Sequence, residues 1–132
     1  MKRRMLDTNT VSLLLKGHAA VTRQIVQVPM SSLCMSAISA GELMFGLARR
    51  PDATRLQGAV EQLLKRVDVL AWDAACTPIY GSTRAALESQ GKPLGPLDML
   101  IAAHALQSDS VLVSNDQAFT RVPGLAVEDW SL

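Results

Sequence analysis

Aromatic side chains are scarce in this chain: two Trp, one Tyr and two Phe among 132 residues. Its core must therefore be built from aliphatic residues and alanine. Cysteine and histidine are equally sparse, at two each, and show no zinc-ligand spacing. Cys34 and Cys76 lie inside apolar patterns and read as buried, reduced thiols rather than a bridge. No apolar stretch reaches the roughly 18–20 residues that span a bilayer, so no membrane segment is expected. The start, "MKRRMLDTNT", is basic, but Asp7 interrupts what would be a signal-peptide apolar region, and a cytoplasmic protein is expected. Repeats, linkers and low-complexity tracts are also missing. Hydrophobic residues make up 48 % of the chain, enough for a real core, which argues against disorder. The length corresponds to one domain spanning residues 1–132. The net charge is +1, from 13 basic and 12 acidic residues, and by itself names no partner.

Short apolar strands alternate with helical patterns. Strands are expected near residues 3–6 and at "SLCMSA", "DVLAW", "SVLVSND" and "LAVEDW". Between them, "TNTVSLLLKG" reads as a short helix stopped by Gly17, and "AAVTRQIVQV" as a second, closed by Pro29. "SAGELMFGLARR" is a helix with Ser39 as its expected N-cap, and the helix after Pro51 takes Asp52 as its cap. The helix ending at Gly91 has Pro78 near its start, where a bend is expected. "LDMLIAAHALQ" is apolar on nearly all sides, and "QAF" is a single turn. Such alternation predicts an α/β fold: a three-layer α/β/α domain around a mainly parallel sheet. In such sheets the binding crevice lies beyond the carboxyl ends of the strands.

Four acids fall at such ends. Asp7 follows the first strand, Glu42 lies one turn into the helix after "SLCMSA", Asp98 opens the apolar helix, and Asp116 follows "VLVSN". Each has an ordinary reading. Asp7 can cap a helix, Asp98 can answer a helix dipole, Asp116 can form an Asx-turn, and Glu42 can face solvent. Together these readings weaken, because carboxylates crowded on one rim repel one another and raise their pKa values. A hard divalent cation removes the conflict, and an all-oxygen set suits Mg²⁺ rather than zinc. His18 and His104 are expected as surface or core residues, not ligands. With four acids at one site, 8 acids face 13 bases elsewhere, which leaves a mildly basic surface compatible with nucleic acid.

The segments "MLDTN", "ISAGEL", "LDMLIAAHAL" and "LVSNDQAFTRVPGLAVEDW" resemble, in order and across the chain, the PIN-domain ribonucleases, and within them the VapC-type toxins of toxin–antitoxin systems. The resemblance implies metal-dependent endonucleolytic cleavage of RNA, with Asp7, Glu42, Asp98 and Asp116 as catalytic, metal-binding acids. Some relatives place the fourth acid just before the phenylalanine of the last motif, where this chain has Ala118. Thr8, Asn9, Ser114 and Asn115 match small polar positions that support the site. "RVPGLAVEDW" is similar to a group that cuts initiator tRNA in its anticodon stem-loop. The implied partner is a cognate VapB antitoxin whose tail fills an apolar groove and blocks the acids. Leu13, Leu14, Met44, Phe45 and Leu47 are candidates to line that groove. A homodimer, and operator DNA bound only through the antitoxin complex, are further expectations.

An acidic pocket repels RNA, so nearby cations must hold its backbone. Arg3, Arg4, Arg49, Arg50, Lys92 and Arg121 are the candidates, Lys92 because its loop runs into the Asp98 helix. Three alternatives stay open. A phosphatase would use Asp7 as nucleophile, although that chemistry wants a second acid where Asn9 stands. A non-catalytic binding module on the same fold would not need all four acids. A phosphoacceptor receiver would need an aspartate ending a central strand, and no strand in the middle of the sequence ends that way.

Overall fold

The computed structural model describes residues 2–132. Five strands form one all-parallel sheet: β1 (Arg4–Leu6), β2 (Leu33–Ser36), β3 (Asp68–Leu70), β4 (Val111–Val113) and β5 (Val127–Glu128). Their order across the sheet is β3-β2-β1-β4-β5. The helices are α1 (Thr8–Leu15), α2 (Ala19–Val26), α3 (Ala37–Ala48), α4 (Thr54–Arg66), α5 (Thr77–Ser89) and α6 (Pro96–Gln107), with short 3₁₀ turns at Met30–Ser32, Ala74–Cys76 and Gln117–Arg121.

Alternation along the strands splits the core into two layers. Met5, Cys34 and Leu112 point to one face, where Leu87 of α5 and Met99, Ile101, Ala102 and Ala105 of α6 cover them. Leu6, Leu33, Met35 and Val113 point to the other, against Val11, Val21, Leu43 and Val60. Helices on both faces make this the expected three-layer α/β/α arrangement. Packing from two sides explains why α6 shows no polar stripe: Met99 and Ile101 to Ala105 are all buried. Both cysteines are free and buried. No helix among the described residues is long and apolar enough to cross a membrane.

The helix ends follow local rules. Beyond α1, Gly17 adopts φ 78°, His18 N–H donates to the Leu13 carbonyl and Gly17 N–H to that of Leu14, which closes the helix as a Schellman turn. Three local expectations need correction. The N-cap of α3 is Ser36, whose Oγ accepts from Ile38 N–H at 3.1 Å; Ser39 lies inside the first turn. Ser36 wins because its hydroxyl is also anchored by buried His104, whose Nδ1 lies 2.8 Å away. The cap of α4 is Ala53, without a side-chain bond, and Asp52 offers only its backbone carbonyl, to Thr54 N–H. Pro78 occupies the first turn of α5, where its missing N–H breaks no helical bond, so it starts the helix instead of bending it.

The strand order corrects another point. The first strand in sequence is the central strand of the sheet, so Asp7 does follow a central strand. What separates this fold from receivers is the order itself, 3-2-1-4-5 in place of 2-1-3-4-5.

Ser36→Ala removes a helix cap and the partner of a buried imidazole. It is expected to lower unfolding stability by about 1–2 kcal/mol in urea denaturation. Ser39→Ala is expected to cost nothing, and a loss at Ser39 equal to that at Ser36 would contradict the cap assignment.

Candidate active site

In the order 3-2-1-4-5, successive connections leave the two neighbouring strands β1 and β4 in opposite directions across the sheet. Such a switch point is where open parallel sheets place their binding crevices, beyond the carboxyl ends of the strands. Asp7 is the first residue past β1, and Ser114 to Asp116 are the first past β4. The two ends are tied together: the Val113 carbonyl accepts from Asp7 N–H at 3.1 Å and from the Thr10 hydroxyl at 2.9 Å. Ser114 N–H donates to the Glu128 carbonyl of β5, which fixes the second end in turn.

Asp7 is only 3 % exposed. It caps α1 through Thr10 N–H, 2.8 Å from Oδ1. Burial raises its carboxyl pKa; hydrogen bonding from Ser114 and Thr10 opposes the rise, and the charge of Asp116 adds to it. Asp98 stands in the first turn of α6, behind Pro96 and a Gly95 N-cap that supplies no side-chain bond. Its pKa is raised too, first by burial and then by the charges of Asp116, Asp7 and Glu42. The same three carboxylates that the sequence grouped with Asp98 therefore lie close enough to act on it. Glu42 projects from α3, and Thr8 at the start of α1 donates to its Oε1 at 2.5 Å. Asp116 accepts from Ala118 N–H at 2.9 Å and takes a bond from its own N–H to Ser114 Oγ at 3.0 Å. The Asx-turn reading of Asp116 and its place among the acids both hold. Ala118, the other position expected for a fourth acid, supplies only that N–H.

The supporting positions divide. Thr8 and Ser114 engage the acids directly, whereas Asn9 and Asn115 are exposed and bond to none of them. The candidate cations divide as well. Arg3 is paired with Asp68 at 2.9 Å and Arg4 with Glu128 at 3.3 Å, and both residues lie toward the amino end of β1, opposite the acidic rim. Lys92 is exposed in the loop between α5 and α6, and Arg121 is exposed on the turn after β4.

Arg49 and Arg50 line a groove of about 410 Å³ between α1, α3 and α4 that contains Thr8 and Glu42. Lys16 lines it too, a cation the sequence did not single out because nothing in the pattern around a helix C-cap marks it. The apolar lining is Leu15, Leu43, Leu47, Leu56 and Val60. Of the expected lining residues only Leu47 contributes. Leu13 and Leu14 pack on the core, and Met44 and Phe45, the latter 63 % exposed, face solvent.

Chemically, the rim offers four carboxylates and small hydroxyls. Among the described residues no group of three or more His, Cys, Asp or Glu side chains is gathered closely enough to hold a metal ion as the side chains stand. An all-oxygen, open set that repels itself fits a hard cation that keeps several waters; it does not fit zinc. His104, the nearest candidate base in sequence, is buried against Ser36, and burial lowers its pKa.

A parallel sheet with this strand order and an acidic switch point defines a nuclease-type α/β domain, and the chain belongs to the PIN domain family, which matches residues 4–125. Its relatives within that family include VapC ribonucleases. It is 37 % identical over 128 residues to the tRNA(fMet)-specific endonuclease VapC of Shigella flexneri, covering 96 % of this chain and 97 % of that protein. A crystal structure of DNA-bound VapBC from Salmonella typhimurium superposes with a TM-score of 0.90 at 35 % identity, over 98 % of this chain and 99 % of the other. VapBC2 from Rickettsia felis, bound to a DNA fragment from its promoter, gives 0.88 at 29 % identity, over 96 % and 98 %.

Because the folded state keeps the Asp7 and Asp98 protons to higher pH than the unfolded chain, whose aspartates titrate near 3.8, stability contributed by these protons is full below that pH. It is lost as pH rises through the raised values. Asp7→Asn keeps the capping geometry and removes the buried charge. Thermal melts of the metal-free protein at neutral pH are expected to shift upward by a few degrees for this variant, with a flatter pH dependence between 4 and 7. A lower midpoint would mean that the charge is compensated within the protein.

Proposed function

We propose that this chain is the ribonuclease toxin of a toxin–antitoxin pair, hydrolysing phosphodiester bonds of RNA with Mg²⁺, or Mn²⁺, at the acidic rim. The observation that carries the reading is the raised pKa of Asp98 under the charges of Asp116, Asp7 and Glu42. The charges of Asp116, Asp7 and Glu42 disfavour the ionised form of Asp98; a cation among them would relieve this, and phosphodiester hydrolysis uses such a charge.

Asp7, Asp98, Glu42 and Asp116 would hold the cation, Asp7 and Asp98 directly and the other two through waters or a second ion. When bound, it supplies charge neutralisation at the scissile phosphate and a more acidic attacking water. The chain's own residues do the rest. The Asp7 cap and the Val113 bonds fix one carboxylate against the sheet. Thr8 holds Glu42 in one orientation. The Asx-turn and Ser114 fix Asp116. Lys16, Arg49 and Arg50 draw the sugar–phosphate backbone toward the rim, with Lys92 and Arg121 as further contacts. With His104 buried against Ser36, a rim carboxylate or solvent would take the proton of the attacking water.

The relatives named as tRNA(fMet)-specific endonucleases support initiator tRNA as the substrate, and the resemblance noted for "RVPGLAVEDW" is the ground for placing the cut in the anticodon stem-loop. The VapBC assemblies among the structural neighbours support a VapB antitoxin as partner, seated in the apolar groove that ends at Thr8 and Glu42, and operator DNA reached through that complex. A homodimer completes the proposal.

The test incubates the purified protein with total RNA and with initiator tRNA, in Mg²⁺ and in EDTA. Cleavage is expected only with metal, and Asp98→Asn is expected to lower the rate at least 100-fold. Equal cutting by the variant, or cutting in EDTA, would overturn the metal-site reading. Release of phosphate from phosphomonoesters without RNA cleavage would favour an Asp7 nucleophile.

A further inference from the structure

A phenylalanine left in water forgoes the burial that makes an aromatic ring useful to a fold. Phe45, one of only two in the chain, is 63 % exposed although it stands well inside α3. The Arg49 guanidinium, one turn further along, lies over its ring, 5.5 Å from the centroid. Gly46, the next residue, is a second oddity. Glycine inside a helix costs stability relative to alanine. A Cβ at Gly46 would nevertheless meet nothing within 4 Å, so no packing within the chain requires glycine there.

Glu42, Phe45 and Arg49 follow one another at intervals of three and four residues, which sets them along one side of α3. Phe45 lies about 4.5 Å along the helix axis from Glu42, the acid of that helix. Gly46 and Arg49 line the groove that holds Glu42, together with Lys16 and Arg50. Phe45 is outside that lining but adjoins it, through its contact with Arg49 and as the chain neighbour of Gly46. Among the described residues no carboxylate forms an ion pair with Lys16, Arg49 or Arg50. An open aromatic ring beside three unpaired cations complements a strand that carries a flat base on each phosphate. An apolar protein surface would cover the ring and leave the cations unanswered.

We propose that Phe45 and Arg49 form a stacking platform for one unpaired nucleobase of the RNA, close to the phosphate that is cut, with the space over Gly46 admitting its sugar. The inference rests on the ribonuclease reading and adds a requirement to it: the substrate must offer a base that is free to leave its neighbours. A duplex keeps its bases stacked and paired, and gives Phe45 nothing to hold. The cations take the backbone without regard to base, so the platform is what separates single-stranded from paired RNA.

The test uses the full chain carrying Asp98→Asn, so that RNA is bound while cutting is slow. Fluorescence anisotropy follows a labelled mixed-sequence single-stranded oligoribonucleotide, the same strand with abasic sites, and its duplex. Adding Phe45→Ala is expected to weaken single-strand binding about tenfold and to leave the abasic strand and the duplex unchanged. Phe45→Tyr should bind as the parent does, and Phe45→Leu, apolar but without a π face, as weakly as the alanine variant. Gly46→Ala should raise the melting midpoint, as a helical glycine is removed, yet weaken single-strand binding. Parental affinity in Phe45→Leu, or equal losses on the abasic strand, would overturn the platform. Unchanged RNA affinity in Phe45→Ala, with a dimer lost in sedimentation, would overturn it by assigning the ring to a second copy of the chain. If the unmodified protein cuts RNA and Phe45→Ala changes no binding, the platform alone falls. If the unmodified protein neither binds nor cuts RNA, the ribonuclease reading falls with it.

Discussion

Repulsion among carboxylates held at one point by the backbone is the constraint on which this molecule depends. Asp7 cannot retreat from its neighbours, because its N–H is tied to the Val113 carbonyl and its side chain caps α1. Asp116 is held by an Asx-turn and by Ser114, and Asp98 is carried on a helix buried on both sides. Asp7 and Asp116 could relieve the crowding by swinging outward only if they gave up the bonds that cap α1 and close the Asx-turn. The electrostatic cost is thus built into the same contacts that form the sheet rim. A divalent cation, as proposed for this rim, would offset it and so couple function and stability at one place.

Ordinary local roles and the proposed catalytic roles coincide here. Asp7 is an N-cap, Asp116 is an Asx-turn, and Asp98 is the acid that a helix N-terminus favours. None of these is displaced by membership in the acidic group. The local bonds supply the orientation that a metal site requires, since a carboxylate with one oxygen committed has less freedom to turn. The groove between α1, α3 and α4 extends this arrangement away from the rim, with Thr8 and Glu42 at the acids and Lys16, Arg49 and Arg50 along its walls. A polymer of negative charge and a protein segment would meet the same surface there, which gives an inhibitor a direct way to exclude substrate.

The residues read from sequence fared according to how local their cause was. Strand positions, the apolar α6 and the glycine stop after α1 follow from periodicity and backbone conformation within a few residues, and they were legible. The α3 cap was misread because the choice between Ser36 and Ser39 is made by His104, 68 residues distant from Ser36. Arg3 and Arg4 looked suited to RNA from their charge and nearness to Asp7. A strand that runs from its amino to its carboxyl end separates them from the rim, and Asp68 and Glu128 engage them where they lie. Lys16 went unnoticed because its proximity to Arg49 and Arg50 exists only once α1 packs beside α3 and α4.

The sequence by itself determined the alternation of strand and helix, the aliphatic character of both core layers and the identity of the four acids, because each follows from side-chain type and short-range spacing. Tertiary structure alone decided that the first strand is central, that its end faces the end of β4, and which cations border the acids. Those facts depend on the order in which distant strands pair, and hydrophobic patterning, which is nearly the same for every strand of a parallel sheet, does not encode that order.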